Sequence, residues 1–166
     1  MAAIIAVLVV SASAQKEMLT KEETVNYLNK KLQEIDGRNL ITKGGQTRKY
    51  SSLSLRIIGD NLELKHTETY GTATVDYTTY VFNPAHISSI VILGGYQDGS
   101  PVRRLRIMFP SKTARRACCG YTTSLSDTDK VDFPYFANLA DNRSRIEKAL
   151  LHLRDLAKAE EEPFGN

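Results

Sequence analysis

Six cations crowd between positions 103 and 116: Arg103, Arg104, Arg106, Lys112, Arg115 and Arg116. Guanidinium and ammonium groups gathered on one strand face attract phosphate, an acidic glycan or an anionic membrane. The same charges on a solvated strand face also guard an edge against unwanted pairing. Strand register decides which arginines converge, because a slip of one residue moves a side chain to the other face. The six residues are the candidate ligand-binding set, as an anion patch.

The other reactive side chains do not assemble into a recognisable centre. His66, His86 and His152 stand apart, with no His, Cys or acidic residue at metal-ligand spacing. Asp127, Asp129 and Asp132 form an acidic loop, but the Gly and Glu of an EF-hand loop are missing. There is no Gly-x-Ser-x-Gly elbow and no phosphate-binding Gly-rich loop. Cys118 and Cys119 are adjacent, and neighbours on a strand point to opposite faces. A disulfide between them would strain the backbone, so two small strand residues are expected there. Tyr70, Tyr77, Tyr80 and Tyr121 read as sheet surface. Asn142-Arg143-Ser144 matches a glycosylation triplet inside a helical stretch. No catalytic residue, metal site or cofactor is expected.

The elements that must carry these groups follow from periodicity. Asn138 to Glu160 holds Leu139, Ile146, Ala149, Leu150, Leu153, Leu156 and Ala157 at steps that make one apolar stripe of a long helix. Such a helix needs a surface to pack on, because about 20 amphipathic residues are marginal alone in water. Near the start, Thr20 and Glu23 form a capping box. Val25, Leu28, Leu32 and Ile35 follow at helical steps, which predicts a first helix over Lys21 to Asp36.

Between the helices the period changes to two. Leu53, Leu55 and Ile57, then Leu62, Leu64 and His66, alternate with polar residues around the break Gly59-Asp60-Asn61, as in a hairpin. A long strand is expected from Tyr70 to Phe82, with Ala73, Val75, Tyr77 and Val81 on one face, and the most apolar strand from Ile87 to Leu93. Leu105 to Phe109, Ala114 to Thr123 and a short Val131 to Phe133 segment ended by Pro134 complete about seven strands. The connections are too short for crossover helices, so the pairing is antiparallel. The fold class is α+β.

The chain has 166 residues, 42% hydrophobic and 25% charged, which suits one globular domain. A net charge of +3 is too weak to argue for nucleic acid. Ala2 to Val10 is an unbroken apolar run followed by Ser11-Ala12-Ser13-Ala14. That is the pattern of a secretory signal peptide, although no Lys or Arg precedes it. Ile4, Ile5, Val7 and Leu8 would also suit a buried strand. The run is shorter than the roughly 20 residues of a membrane span. Residues 1–14 are read as a signal peptide, with a secreted or periplasmic location and no transmembrane segment in the mature chain.

Seven antiparallel strands followed by one C-terminal helix resemble the pleckstrin-homology superfold. The ending, from Val131-Asp132-Phe133-Pro134 through Arg143, Ala149, Leu150, His152 and Leu153, looks like that of uncharacterised bacterial PH-like proteins. The resemblance implies an open barrel with its corner sealed by the last helix. It divides the chain into an N-terminal helix and connector (15–49), a PH-like unit (50–160) and a tail (161–166). It also implies a non-enzymatic binding or scaffolding role towards an unknown protein or anionic ligand. Phosphoinositide recognition would need a basic first hairpin loop, and Gly59-Asp60-Asn61 has no Lys or Arg. A lipocalin-like carrier of a small apolar ligand is the alternative, and an unfamiliar enzyme a third reading.

Overall fold

The computed structural model describes residues 19–71, 74–118 and 124–162. The signal-peptide reading therefore lies outside the described residues, as do Ala73, Cys119 and Tyr121. The chain is α+β. A first helix, α1 (Lys21–Gln33), is followed by β1 (Asn39–Ile41), β2 (Thr47–Ile58), β3 (Asn61–Tyr70), β4 (Thr74–Phe82), β5 (Ser89–Ile92), β6 (Val102–Met108), β7 (Ala114–Ala117), β8 (Ser126–Thr128) and β9 (Lys130–Phe136). A last helix, α2 (Asn142–Glu161), closes the order. All described pairings are antiparallel, in one sheet ordered β1-β2-β3-β4-β7-β8 and another ordered β5-β6-β9. The two sheets do not close into a barrel.

Helix α1 forms where its cap residues require it. The Thr20 hydroxyl accepts from the Glu23 N–H at 3.2 Å, and the Glu23 carboxylate accepts from the Thr20 N–H at 2.8 Å. Val25, Leu28, Leu32 and Ile35 all enter the core. The polar residues between them attach the helix to β2. Asn29 donates to the Leu55 carbonyl at 2.6 Å and accepts from the Leu55 N–H at 2.8 Å. Gln33 donates to the Leu53 carbonyl, and Asp36 accepts from the Ser52 N–H. Strand β1 pairs only with the first part of β2, so the helix side chains satisfy the edge that β1 leaves open. The register shifts between Ser51 and Ser54, and Ser52 takes φ 55° there. This is a bulge that bends β2 towards α1.

The core joins both helices to both sheets. Leu28 and Leu32 of α1, Leu62 and Leu64 of β3, Leu105 and Ile107 of β6, and Ile146, Leu150 and Leu153 of α2 are fully buried in one cluster. Helix α2 packs on the turn at Pro84–His86, on α1 and on β9. The late apolar stripe thus seals the strands, as its spacing predicts.

Several expectations need correction. Nine strands are present among the described residues, because β1 and β8 are three-residue strands too short to show alternation. Tyr70 ends β3 instead of opening a long strand, and Gly71 turns the chain with φ 57°. On β4 the buried face is Thr78, Tyr80 and Phe82, while Val75 and Tyr77 are exposed. The most apolar strand, β5, lies at a sheet edge and leaves Val91 and Ile92 exposed.

Strand β9 runs through Pro134. Phe109 donates to Asp129 and Ala137 to Pro101, so the odd-numbered residues of β6 exchange hydrogen bonds with β9. Pro134 faces Arg104 at a non-hydrogen-bonded position, where a missing N–H costs nothing. Helix α2 starts at Asn142, not Asn138, because Asp141 takes φ 60°. Leu139 consequently stays 46% exposed. Cys118 is disulfide-bonded, against the strand-residue reading; the chain's other cysteine is Cys119.

Candidate functional site

The fold divides the six cations. Arg103, Arg104 and Arg106 lie on β6, and alternation sends Arg104 and Arg106 to one face and Arg103 to the other. Arg115 and Arg116 lie on β7, and Lys112 in the turn before it. Arg115 and Lys112 are exposed. Arg116 stacks over the Tyr80 ring at 5.6 Å and donates to the Cys118 sulfur at 3.1 Å. No single patch of six exists.

Arg104 and Arg106 are committed to protein partners. Arg106 grips Asp132 through Nε at 2.7 Å and Nη2 at 3.0 Å, a bidentate pair, and Arg104 reaches the same carboxylate at 3.6 Å. Burial pushes the Arg104 guanidinium down, but Tyr50, Tyr96 and Glu68 around it raise it overall, so it is always charged. The acidic loop expected at Asp127, Asp129 and Asp132 is dispersed: Asp132 pairs with arginines on β6, and Asp127 sits on β8 opposite Arg115.

The partner groups form a buried polar network that sequence patterning missed. Glu68 is buried on β3 and accepts four hydrogen bonds. These come from the hydroxyls of Tyr50 and Tyr70 at 3.1 Å each, from His66 Nε2 at 3.1 Å and from Arg48 at 3.3 Å. Burial pushes the Glu68 carboxyl up, yet the His66 hydrogen bond and charge, with Arg104 and Arg48, outweigh it and hold the group at about 2. The carboxylate is acceptor-only, so the His66 nitrogen facing it carries the proton. Burial and the Glu68 charge push the Tyr50 hydroxyl well up and Tyr70 to about 12. His66 Nδ1, Arg48 Nε and Arg104 Nε are buried with no hydrogen-bond partner among the described residues. The signal for this network was in the sequence, since His66, Glu68 and Tyr70 share one phase of β3 with Leu62 and Leu64.

Arg103 instead faces a cleft of 360 Å³ at the start of α2, lined by Tyr135, Leu139, Asp141, Arg143 and Ser144 among others. Arg103 comes from the strand and Arg143 from the helix. Burial pushes the Tyr135 hydroxyl up, and both arginines act against that shift, which puts both charges beside one ring. Among the described residues neither guanidinium has a carboxylate within 4.0 Å. Arg103 Nε is buried and has no hydrogen-bond partner among the described residues. The left-handed Asp141 makes no side-chain cap, so it does not occupy the helix's first-turn N–H groups. Two cations and a helix N-terminus set against the one Asp141 carboxylate make this a place for an anionic group, while the Ser144 hydroxyl is spent on the Asp141 carbonyl at 3.0 Å.

The same segment disposes of the glycosylation triplet. Asn142 is 2% exposed, and its amide donates to the Phe136 carbonyl at 2.8 Å. Among the histidines, His152 holds the Leu19 carbonyl at 2.7 Å and pins the chain before α1 onto α2. No described helix is long and apolar enough to cross a membrane. Compared with protein-family models, with curated proteins and with solved structures, the chain matches none.

Proposed function

We propose that this chain is a binding domain that takes an anionic group in the cleft between Arg103 and Arg143. The observation that carries the reading is the meeting of two arginines, from separate elements, that have no described carboxylate partner and line one cavity. The other buried arginines on β2 and β6 are bonded to carboxylates, so their charge is spent within the protein. The order of two antiparallel sheets followed by a sealing helix supports a PH-like binding module, exported if residues 1–14 act as read. The cleft reaches the volume of a small-ligand site, and its two arginines favour an anion over apolar cargo.

The test is titration with phenyl phosphate and with inorganic phosphate, followed by backbone amide shifts. Binding should perturb amides from Ala140 to Ser144 and around Arg103. Arg103→Ala and Arg143→Ala should each weaken it about tenfold, the loss of one charged hydrogen bond. Arg115→Ala should leave it unchanged. Shifts that spread evenly over the basic residues, or equal affinity in all three variants, would remove the cleft as the site.

A further inference from the structure

We infer that the open edge of β5 is a self-pairing surface, through which two copies of this chain associate as an antiparallel strand pair about a two-fold axis at Val91.

The backbone phase of β5 supports this. Among the described residues, strand β5 has β6 on one side and no strand on the other. The Leu93 N–H donates to the Arg104 carbonyl, and the register pairs Val91 with Arg106 in the same phase. Ser89, Val91 and Leu93 therefore spend their backbone groups on β6. Ile90 and Ile92 turn theirs to the open side, where no described residue bonds to them.

Every other sheet edge is managed, as edges in native proteins usually are. Strand β9 carries Pro134. Strand β8 is three residues long and holds Asp127. Strand β1 is bridged through Thr42 and Tyr96, and its Ile41 N–H donates to the Ser100 hydroxyl at 2.9 Å. Strand β5 has none of these devices. From Ile87 to Tyr96 there is no charge and no proline, and Val91 is 42% and Ile92 55% exposed.

The occupant that fits is β5 itself. Ile90-Val91-Ile92 reads the same in both directions. A two-fold axis at Val91 sets Ile90 opposite the second copy's Ile92, and the reverse. Both residues present free N–H and C=O groups, so both pairs are hydrogen-bonded pairs, with two bonds each. Val91 then meets the second copy's Val91 at the closer, non-hydrogen-bonded position. A charged foreign strand would lack a counter-charge, because Arg106 beside Val91 is already held by Asp132. Two three-stranded sheets would merge into one of six. The edge is only four residues long, so the association belongs to the weak class that buries less than about 1,200 Å².

Sedimentation of the full chain over about 10 μM to 1 mM tests this, a range that brackets weak association. The mass should rise from 18.5 kDa towards twice that value. Ile92→Pro removes a donor that no described residue uses, and Val91→Lys places two ammonium groups at the axis. Both variants should hold the single-chain mass with unchanged circular dichroism. With rising wild-type concentration, exchange of the Ile90 and Ile92 amides should slow at least threefold, while the Val91 amide keeps its rate. If Ile92→Pro fails to fold, Val91→Lys and the exchange pattern decide. A wild-type mass fixed at that of one chain, or association that persists in the folded variants, would overturn the inference.

Discussion

Arg103 and Arg104 are consecutive residues of β6 that serve opposite sides of its sheet. Arg104 points at Asp132 and the Tyr50–Glu68 pair, while Arg103 lines the cleft beside Tyr135 and Arg143. One peptide bond separates a charge paired with Asp132 from a charge that lines the cleft with no described carboxylate partner.

That relationship predicts opposite outcomes for the same substitution. Arg104→Ala leaves buried carboxylate charge short of a partner and should cost about 3 kcal/mol, as breaking a buried pair does. Arg103→Ala removes a half-buried charge that has no described carboxylate partner, so it should destabilise less than Arg104→Ala and weaken anion binding. Urea titrations and phosphate titrations of the two proteins separate the roles. Equal destabilisation by both would contradict the division.

The Glu68 network predicts acid sensitivity. Its folded carboxyl sits at about 2, below the 4.5 of a free glutamate, so its stabilisation is complete above pH 4.5 and is lost as pH falls through about 2. A shift of this size corresponds to about 3 kcal/mol. Glu68→Gln should flatten the fall in stability between those limits, measured by denaturant melts at stepped pH. A wild-type and variant pair with parallel pH profiles would rule the network out as the cause.

At alkaline pH the sign reverses. Tyr70 is raised to about 12, so the folded state favours the neutral phenol. Its contribution is intact below pH 10 and declines as pH rises towards 12. Ultraviolet titration of the wild type and Tyr70→Phe should assign a late-ionising phenol to Tyr70. A Tyr70→Phe difference spectrum that titrates near 10 would contradict the burial of its hydroxyl against Glu68.

Asn29 makes two of the four side-chain hydrogen bonds that tie the α1 segment to β2. Asn29→Ala strands both the N–H and the carbonyl of Leu55 and should destabilise by about 2–3 kcal/mol. Asn29→Asp keeps the acceptor and loses the donor, so it should fall between. Amide exchange at Leu55 reports the break directly, and unchanged protection there would show that Asn29 does not hold the seam.

The final helix supplies a packing test. Leu153 is fully buried, and Leu153→Ala should cost about 2–5 kcal/mol through the cavity it leaves. Leu139, outside the helix and exposed, should tolerate alanine with little change. An unaltered midpoint for Leu153→Ala would mean that α2 does not seal the sheets.

Much of this architecture was legible in the order of residues. The capping box at Thr20 and Glu23, the stripes of both helices and the hairpin around Gly59 arise from contacts between near neighbours, and local spacing encodes such contacts. The short strands β1 and β8 left no trace, because three residues are too few to show a period. The role of Asn29 left no local sign either, since nothing near it in sequence reveals that a bulged strand edge lies beside it.

The destination of the charges lay beyond local reading. The sequence showed that six cations occur together and left their convergence to strand register. It did not reveal that Asp132 and Glu68 would claim one side, nor that Arg143, forty positions away, would join the other. Nor did it place the apolar strand β5 at an open edge instead of the centre. Side-chain period is a property of one strand, whereas partners and edges are set by which strands meet, and only the folded chain fixes that.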